Sequence, residues 1–412
     1  MNAVTANPNR LLDSSRLREW SRVRSGRVLV RLLLEYVWAG LAAGVAVWFH
    51  VMCARWGIHP AWEVPVVLMM VFLTGCLQHR IALIGHEASH GLLLPNRAWN
   101  DWLANLLIFH PLFSSVAMYR KRHLPHHLHP NDPVRDLNLS GGKLERIWAR
   151  FPMTQGQFVR SFYLKFFWPP FVLRNLLDLF LILAVESRGE VKARGSFLLQ
   201  PGLLGCVYFV MIALITVVAP LAGVSSAGWV GLSYLLAVIV WGLLPSSAFL
   251  CEGSFAGSLK AAALLRLTFS TALVLTLGLL MERLGGGVIV WYCLLWILPL
   301  IYVFPYLMLL REVYQHANAG TGVIDNSRIL FVDPFTRWAV LGYGNDLHAV
   351  HHLYPNIPHD RLAEVHETLM RESSVYREGI QQTRGLLRGS GTEPGLLDSL
   401  SVRPGLRDSA GQ

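Results

Sequence analysis

"VPVVLMMVFLTGCLQHRIALIGHEASH", residues 64–90, joins two patterns in one segment. The apolar run over 62–84 is long enough to cross a bilayer, which takes about 20 mostly apolar residues. It ends in His86-Glu87-Ala88-Ser89-His90. Residues four apart lie on one helix face, so His86 and His90 can aim their rings at one point. Taken alone, H-E-x-x-H is the zinc-protease signature, with Glu87 as the base. The same letters fit H-x-x-x-H, one part of a larger metal site, and the rest of the chain has to decide.

Five more stretches have the length and composition of a span: 29–53, 202–222, 229–250, 261–282 and 287–310. The chain of 412 residues is 53% hydrophobic and only 15% charged, well under the ~25% of a soluble domain. The expected fold is an all-α integral membrane protein of about four to six transmembrane helices, with interfacial helices and a cytoplasmic histidine-rich cap. Two apolar stretches, 102–113 and 162–185, read as interfacial: the first is short, and the second contains Pro169, Pro170, Arg174 and Asp178. Charges in a lone span are costly, whereas an amphipathic helix can lie at headgroup level.

Arginine placement gives the orientation. Arg-rich residues 1–28, the loop 85–201 and the region after 310 are separated by even numbers of spans, so all three fall on the cytoplasmic side. The expected division is a cytoplasmic segment over 1–28, a membrane domain over 29–370 and a disordered tail over 375–412, where Gly, Ser, Pro and Arg replace apolar periodicity. The net charge of +10 belongs to those loops. No nucleic-acid partner is expected, because the basic residues do not interleave with exposed aromatics. Cys53, Cys76, Cys206, Cys251 and Cys293 form no C-x-x-C pair and read as packing residues. No cleavable signal peptide is expected.

The sixteen histidines are not scattered. His123, His126 and His127 stand in "HLPHH", His348, His351 and His352 in "HAVHH", and His316 in "REVYQHANAG". With His86 and His90, these groups end at the same membrane face. In H-x-x-H-H the spacings are three and four, so a helix turns all three rings to roughly one side. Two such triplets and the His86/His90 pair give eight imidazoles, too many for one four-coordinate zinc and suited to two metals of higher coordination. Imidazole suits Zn, Cu, Fe and Ni alike, so the count does not choose the metal. A protease would leave both triplets unexplained. A metal transporter would place its ionisable groups near the bilayer midplane, not at one face.

In its three boxes, "HEASH" at 86–90, "HLPHH" at 123–127 and "HAVHHLYPNIP" at 348–358, their order, and the four spans before the third, the sequence resembles the membrane fatty acid desaturase family, with its related hydroxylases and ketolases. The resemblance covers roughly residues 30–370. It implies a di-iron centre that activates O2 and attacks an unactivated C–H bond of a fatty acyl or related lipid chain. The implied ligands are His86, His90, His123, His126, His127, His348, His351 and His352. His316 takes the place of the histidine that the family carries between the last span and the third box. Asp132 and Asp136 are expected to hold ligating imidazoles from behind, and Asn345 to make a water-mediated contact. The products that the boxes leave open are a double bond or a hydroxyl. With no dinucleotide motif, cysteine cluster or fused heme motif, a separate ferredoxin or cytochrome donor is implied. Arg120-Lys121-Arg122 read as topology and headgroup contacts, or as a landing site for an acidic partner. A bacterial inner membrane is the expected setting.

Overall fold

The computed structural model describes residues 11–139, 143–176, 201–249, 255–387 and 394–401. Helix α1 (Ser14–Trp20) starts where the Asp13 carboxylate accepts from the Ser15 amide. Helix α2 (Ser25–Trp56) stops at Gly57, whose φ of 62° is the left-handed conformation that closes helices. Helix α3 (Glu63–Ser89) returns beside it. Helix α4 (Arg97–Ala104) runs into a π-turn over Asn105–Phe109, and α5 is Val116–Leu128. Helices α6 (Pro201–Leu221), α7 (Ser226–Leu243) and α8 (Leu259–Leu284) form a group of their own.

The last span is pieced together: α9 (Gly287–Tyr292), a π-turn over Cys293–Ile297, α10 (Leu298–Ile301) and α11 (Val303–His316). Strand β1 (Arg328–Phe331), α12 (His348–Leu353), α13 (Leu362–Glu372), β2 (Gln381–Arg384) and α14 (Leu396–Ser401) complete the chain. The two strands pair in parallel, Arg328 opposite Gln381.

Among the described residues, six helices are long and apolar enough to cross a membrane: Ser25–Trp56, Pro60–Ser89, Leu204–Leu221, Ser226–Leu243, Leu259–Leu284 and Gly287–His316. They coincide with the six stretches read from the sequence, and the architecture is all-α and multi-pass. Helix α3 is the central one. In its most apolar window 61% of residues are buried, against 17–22% in four of the other five. Gly75 permits this: a Cβ there would overlap Val303 of α11. The contact is at the start of α11, and the histidine-bearing ends of both helices lie further along the chain.

Three expectations change. Residues 102–113 are packed beneath the first box, Gly85 meeting the side chains of Ile108 and Phe109, so they are core more than interface. Of 162–185, residues 162–176 form short helical turns and 177–185 lie outside the described residues. The tail expected to be disordered from 375 is folded where it is described. β2 pairs with β1, and Leu396, Leu397 and Leu400 of α14 are buried beside Tyr314 and Ala317 in the core. A strand needs a partner more than a pattern, which is why "QQTR" carries no signal of its own. Residues 388–393 and 402–412 lie outside the described residues.

Candidate metal centre

His86 lies in the buried last turn of α3, and His90 is the residue that closes it. His123, His126 and His127 lie on α5, His316 is the last residue of α11, and His348, His351 and His352 lie on α12. All nine converge, and they divide into two groups. His86, His90, His123, His127 and His351 form one, and His126, His316, His348 and His352 the other. Within each, one nitrogen per residue lies within 4.8 Å of all the rest.

The division follows helix geometry. The i, i+4 pairs 86/90, 123/127 and 348/352 each stay together. The middle histidine of each H-x-x-H-H box, His126 or His351, crosses to the other group. At 100° per residue, neighbours 126 and 127 cannot share one focus, nor can 351 and 352. Each triplet therefore serves both groups, and the stacked rings of His127 and His352, 4.3 Å apart and 20° from parallel, join them.

The chemistry of the donors is uniform. Nε2 of His123 lies 2.8 Å from that of His90 and 3.0 Å from that of His127, which is 3.2 Å from that of His351. In the other group, His126–His316 and His348–His352 are 3.3 and 3.1 Å apart. Burial holds His123, His127, His348, His351 and His352 well below the usual imidazole range and His90 down to about 3. Those rings are neutral, with a lone pair free for a metal. Only His127 and His352 among the nine are more than marginally exposed.

Two rings are fixed from behind. The Asp136 carboxylate, fully buried, accepts from Nδ1–H of His126 at 2.8 Å. The carbonyl of Asn326 accepts from Nδ1–H of His316 at 3.1 Å. Each bond leaves Nε2 as the ligand atom. Asp132 does not reach an imidazole. Its oxygens accept from the amides of Val134 and Arg135 and from the Arg135 guanidinium, so it caps its own turn. Asn345 lines the same small space as His86, His348 and His351 and accepts from Gln315 Nε2 at 3.3 Å.

Arg120 is no landing site. Buried, it pairs with Asp101 through bonds of 2.6 and 2.7 Å and donates to the Ser89 carbonyl at 2.7 Å. This ties α5 to α4 and to the end of α3, and so the second box to the first. The sequence reading passed over Asp101, although a lone carboxylate in the apolar stretch "WNDWLANLLIF" is itself a signal that something positive lies opposite. The histidine spacing gives His359 no place in a box and Glu87 a task only in the protease reading, yet the two are hydrogen-bonded.

The sequence profile of the family described as "Fatty acid desaturase" matches residues 60–260 and 254–383, more than half of the chain. The chain belongs to the fatty acid desaturase family. A curated relative, the dihydrorhizobitoxine desaturase of Bradyrhizobium elkanii, is 28% identical over 123 residues. That alignment takes in 30% of this chain and 32% of the relative, so the chain matches about a third of the relative's length. Both histidine groups lie on segments within the family match.

Membership in this typically iron-dependent family makes iron the metal to test against the donor set, and the residues fit it. Imidazole is an established iron ligand. Both nitrogens of His86, and Nδ1 of His127, His348, His351 and His352, are buried with no hydrogen-bond partner among the described residues. Buried polar atoms without partners are rare unless something else satisfies them. The His86 ring, crowded by those of His90, His123 and His351, is placed where a metal cation would do so.

Proposed function

We propose that the protein is a membrane-bound di-iron oxidoreductase that introduces a double bond into a fatty acyl or related lipid chain, using O2 and electrons from a separate donor. The observation that carries this is the pair of adjacent, buried, all-imidazole groups at the ends of the spans. His86, His90, His123, His127 and His351 would hold one iron, and His126, His316, His348 and His352 the other. Bound there, the irons would supply O2 activation and the oxidising power needed to break an unactivated C–H bond. The balance is one –CH2–CH2– unit, O2, two electrons and two protons giving –CH=CH– and two waters.

What the chain itself contributes is placement and exclusion. The helix ends and Arg120–Asp101 fix the rings before any metal arrives, which saves reorganisation at the moment of reaction. Tyr119, with its ring centroid 5.0 Å from that of His123 and 6.4 Å from that of His86, and Phe109 beside it give the site an apolar wall suited to a hydrocarbon chain. The partly exposed rings of His127 and His352 are where a ferredoxin or cytochrome-type donor would come closest to both groups. The arginine distribution supports boxes and termini on the cytoplasmic face, and the setting proposed is a bacterial inner membrane.

The test is expression in a host of known lipid composition, followed by mass spectrometry of extracted lipids and metal analysis of the purified protein. The expected result is two irons per chain and a lipid lighter by two hydrogens. A product that gains one oxygen would make the enzyme a hydroxylase of the same family. One zinc per chain, with peptide hydrolysis lost in Glu87→Gln, would replace the proposal with a protease.

A further inference from the structure

Glu87 sits between two ligands of one box and has no place among the nine imidazoles. It is nevertheless buried, 2% exposed, and a buried carboxylate needs partners. It finds them 272 residues away. A single oxygen, Oε2, accepts from the backbone N–H of His359 at 3.0 Å and from its Nδ1–H at 3.1 Å. Arg31 of α2 donates to Nε2 on the far side of the same ring.

His359 follows His352, the last histidine of the third box, by seven residues. Gly344 precedes His348, the first, by four. The two meet: φ of Gly344 is +71°, and a Cβ there would stand 3.1 Å from both Cβ and the carbonyl of His359. Tyr343 lays its ring edge-on to that of His359, with centroids 5.1 Å apart. Residues 344–359 therefore form a loop closed on itself, with α12 and its three histidines inside. The closure is fastened to α3 at Glu87. Glu87 also lines, with Gly344 and Asn345, the space bordered by His86, His348 and His351.

We propose that Glu87 is a positioning residue, a clasp that holds the third histidine box against the first through His359. Its principal beneficiary is His351. That ring reaches over to the five-histidine group and packs 4.4 Å from His86, the residue next to Glu87. His348 and His352 share a group with His126 and His316, which Asp136 and the Asn326 carbonyl fix independently. Opening the clasp should therefore loosen the five-histidine group first. The metal consequence rests on the proposal that each group binds one metal; the clasp itself does not.

Two measurements on the full-length protein in detergent test it. The first is amide hydrogen exchange of metal-free protein. Glu87→Ala should speed exchange across 344–359, with His359→Ala giving a smaller increase, because the backbone bond to Glu87 survives. Glu87→Gln should stay near wild type, its amide oxygen accepting the same two bonds. The second is cobalt(II) titration read by visible absorption and bound metal. Wild type should take two cobalt ions, and Glu87→Ala should weaken one of them about tenfold while sparing the other. Unchanged exchange at 344–359 in both Glu87→Ala and His359→Ala would overturn the clasp, as would a Glu87→Gln protein that behaves like Glu87→Ala. If Glu87→Ala does not fold, His359→Ala against Glu87→Gln decides it. Wild type binding fewer than two cobalt ions would sink the two-metal reading alone, since the exchange result still decides the clasp.

Discussion

The two histidine groups draw on the same second and third boxes, yet they are fastened differently. In the four-histidine group two rings are gripped from behind, His126 by Asp136 and His316 by the Asn326 carbonyl. In the five-histidine group Nδ1 of His86, His127 and His351 has no such partner among the described residues. Its order comes from the backbone instead: Arg120 holds the carbonyls of Ala88 and Ser89, and Glu87 holds His359. One group is set ring by ring, and the other by docking whole segments. The first should resist local damage and the second should feel any slackening of the fold.

The largest effects should come from removing ligands. His351→Ala and His126→Ala should each lower bound metal by about one per chain. Activity should fall by more than the roughly 10–100-fold typical of outer partners, checked by lipid turnover with metal analysis. Equal metal loss from both groups in either variant would break the comparison. Next is Asp101→Ala, which leaves the Arg120 charge buried without this carboxylate. Losing one partner of a buried pair costs about 3–5 kcal/mol, read as thermal unfolding in detergent. Cobalt binding should fail first in the five-histidine group.

Asp136→Asn should be milder and opposite in address. It should weaken the four-histidine site by about 10–100-fold and leave the other alone in the same titration. Acid gives a smaller, graded effect on metal-free protein. His90, His123, His127 and His351 are held neutral by burial, His90 down to about 3. Between those depressed values and about 6.5, the unfolded chain binds more protons than the folded one. Stability therefore falls as pH falls through that window, by up to about 1.4 kcal/mol per pH unit for each such ring, measurable as melting temperature against pH. Smallest of all, Asp132→Ala should leave bound metal at both groups unchanged.

How much of this was legible in the sequence depends on the range of the interaction. Spans and boxes are local patterns, a run of apolar residues or a spacing of three and four, and each appears where expected. Asp132 and Asp136 could not be told apart, because a turn decides between them. Asn131 takes φ of 62°, and its amide, like the ring of His126, reaches Asp136. Arg120 looked like its neighbours Lys121 and Arg122, since nothing local says that one cation of three is buried. The pairing of Glu87 with His359 leaves no trace at either end, and the parallel pairing of β2 with β1 made a featureless tail part of the fold.

The last span holds a consequence of its own. Its π-turn at Cys293–Ile297 accommodates one residue more than an unbroken α-helix would, and each residue is worth about 100° of rotation. The turn works like a phase adjuster, dialling the azimuth of everything downstream without altering the lipid-facing composition upstream. His316, at the far end of α11, inherits that setting. Winding the same residues as one unbroken α-helix would leave a hydrophobic segment still able to cross the bilayer, but with its terminal imidazole pointed about a quarter-turn away from His126, His348 and His352.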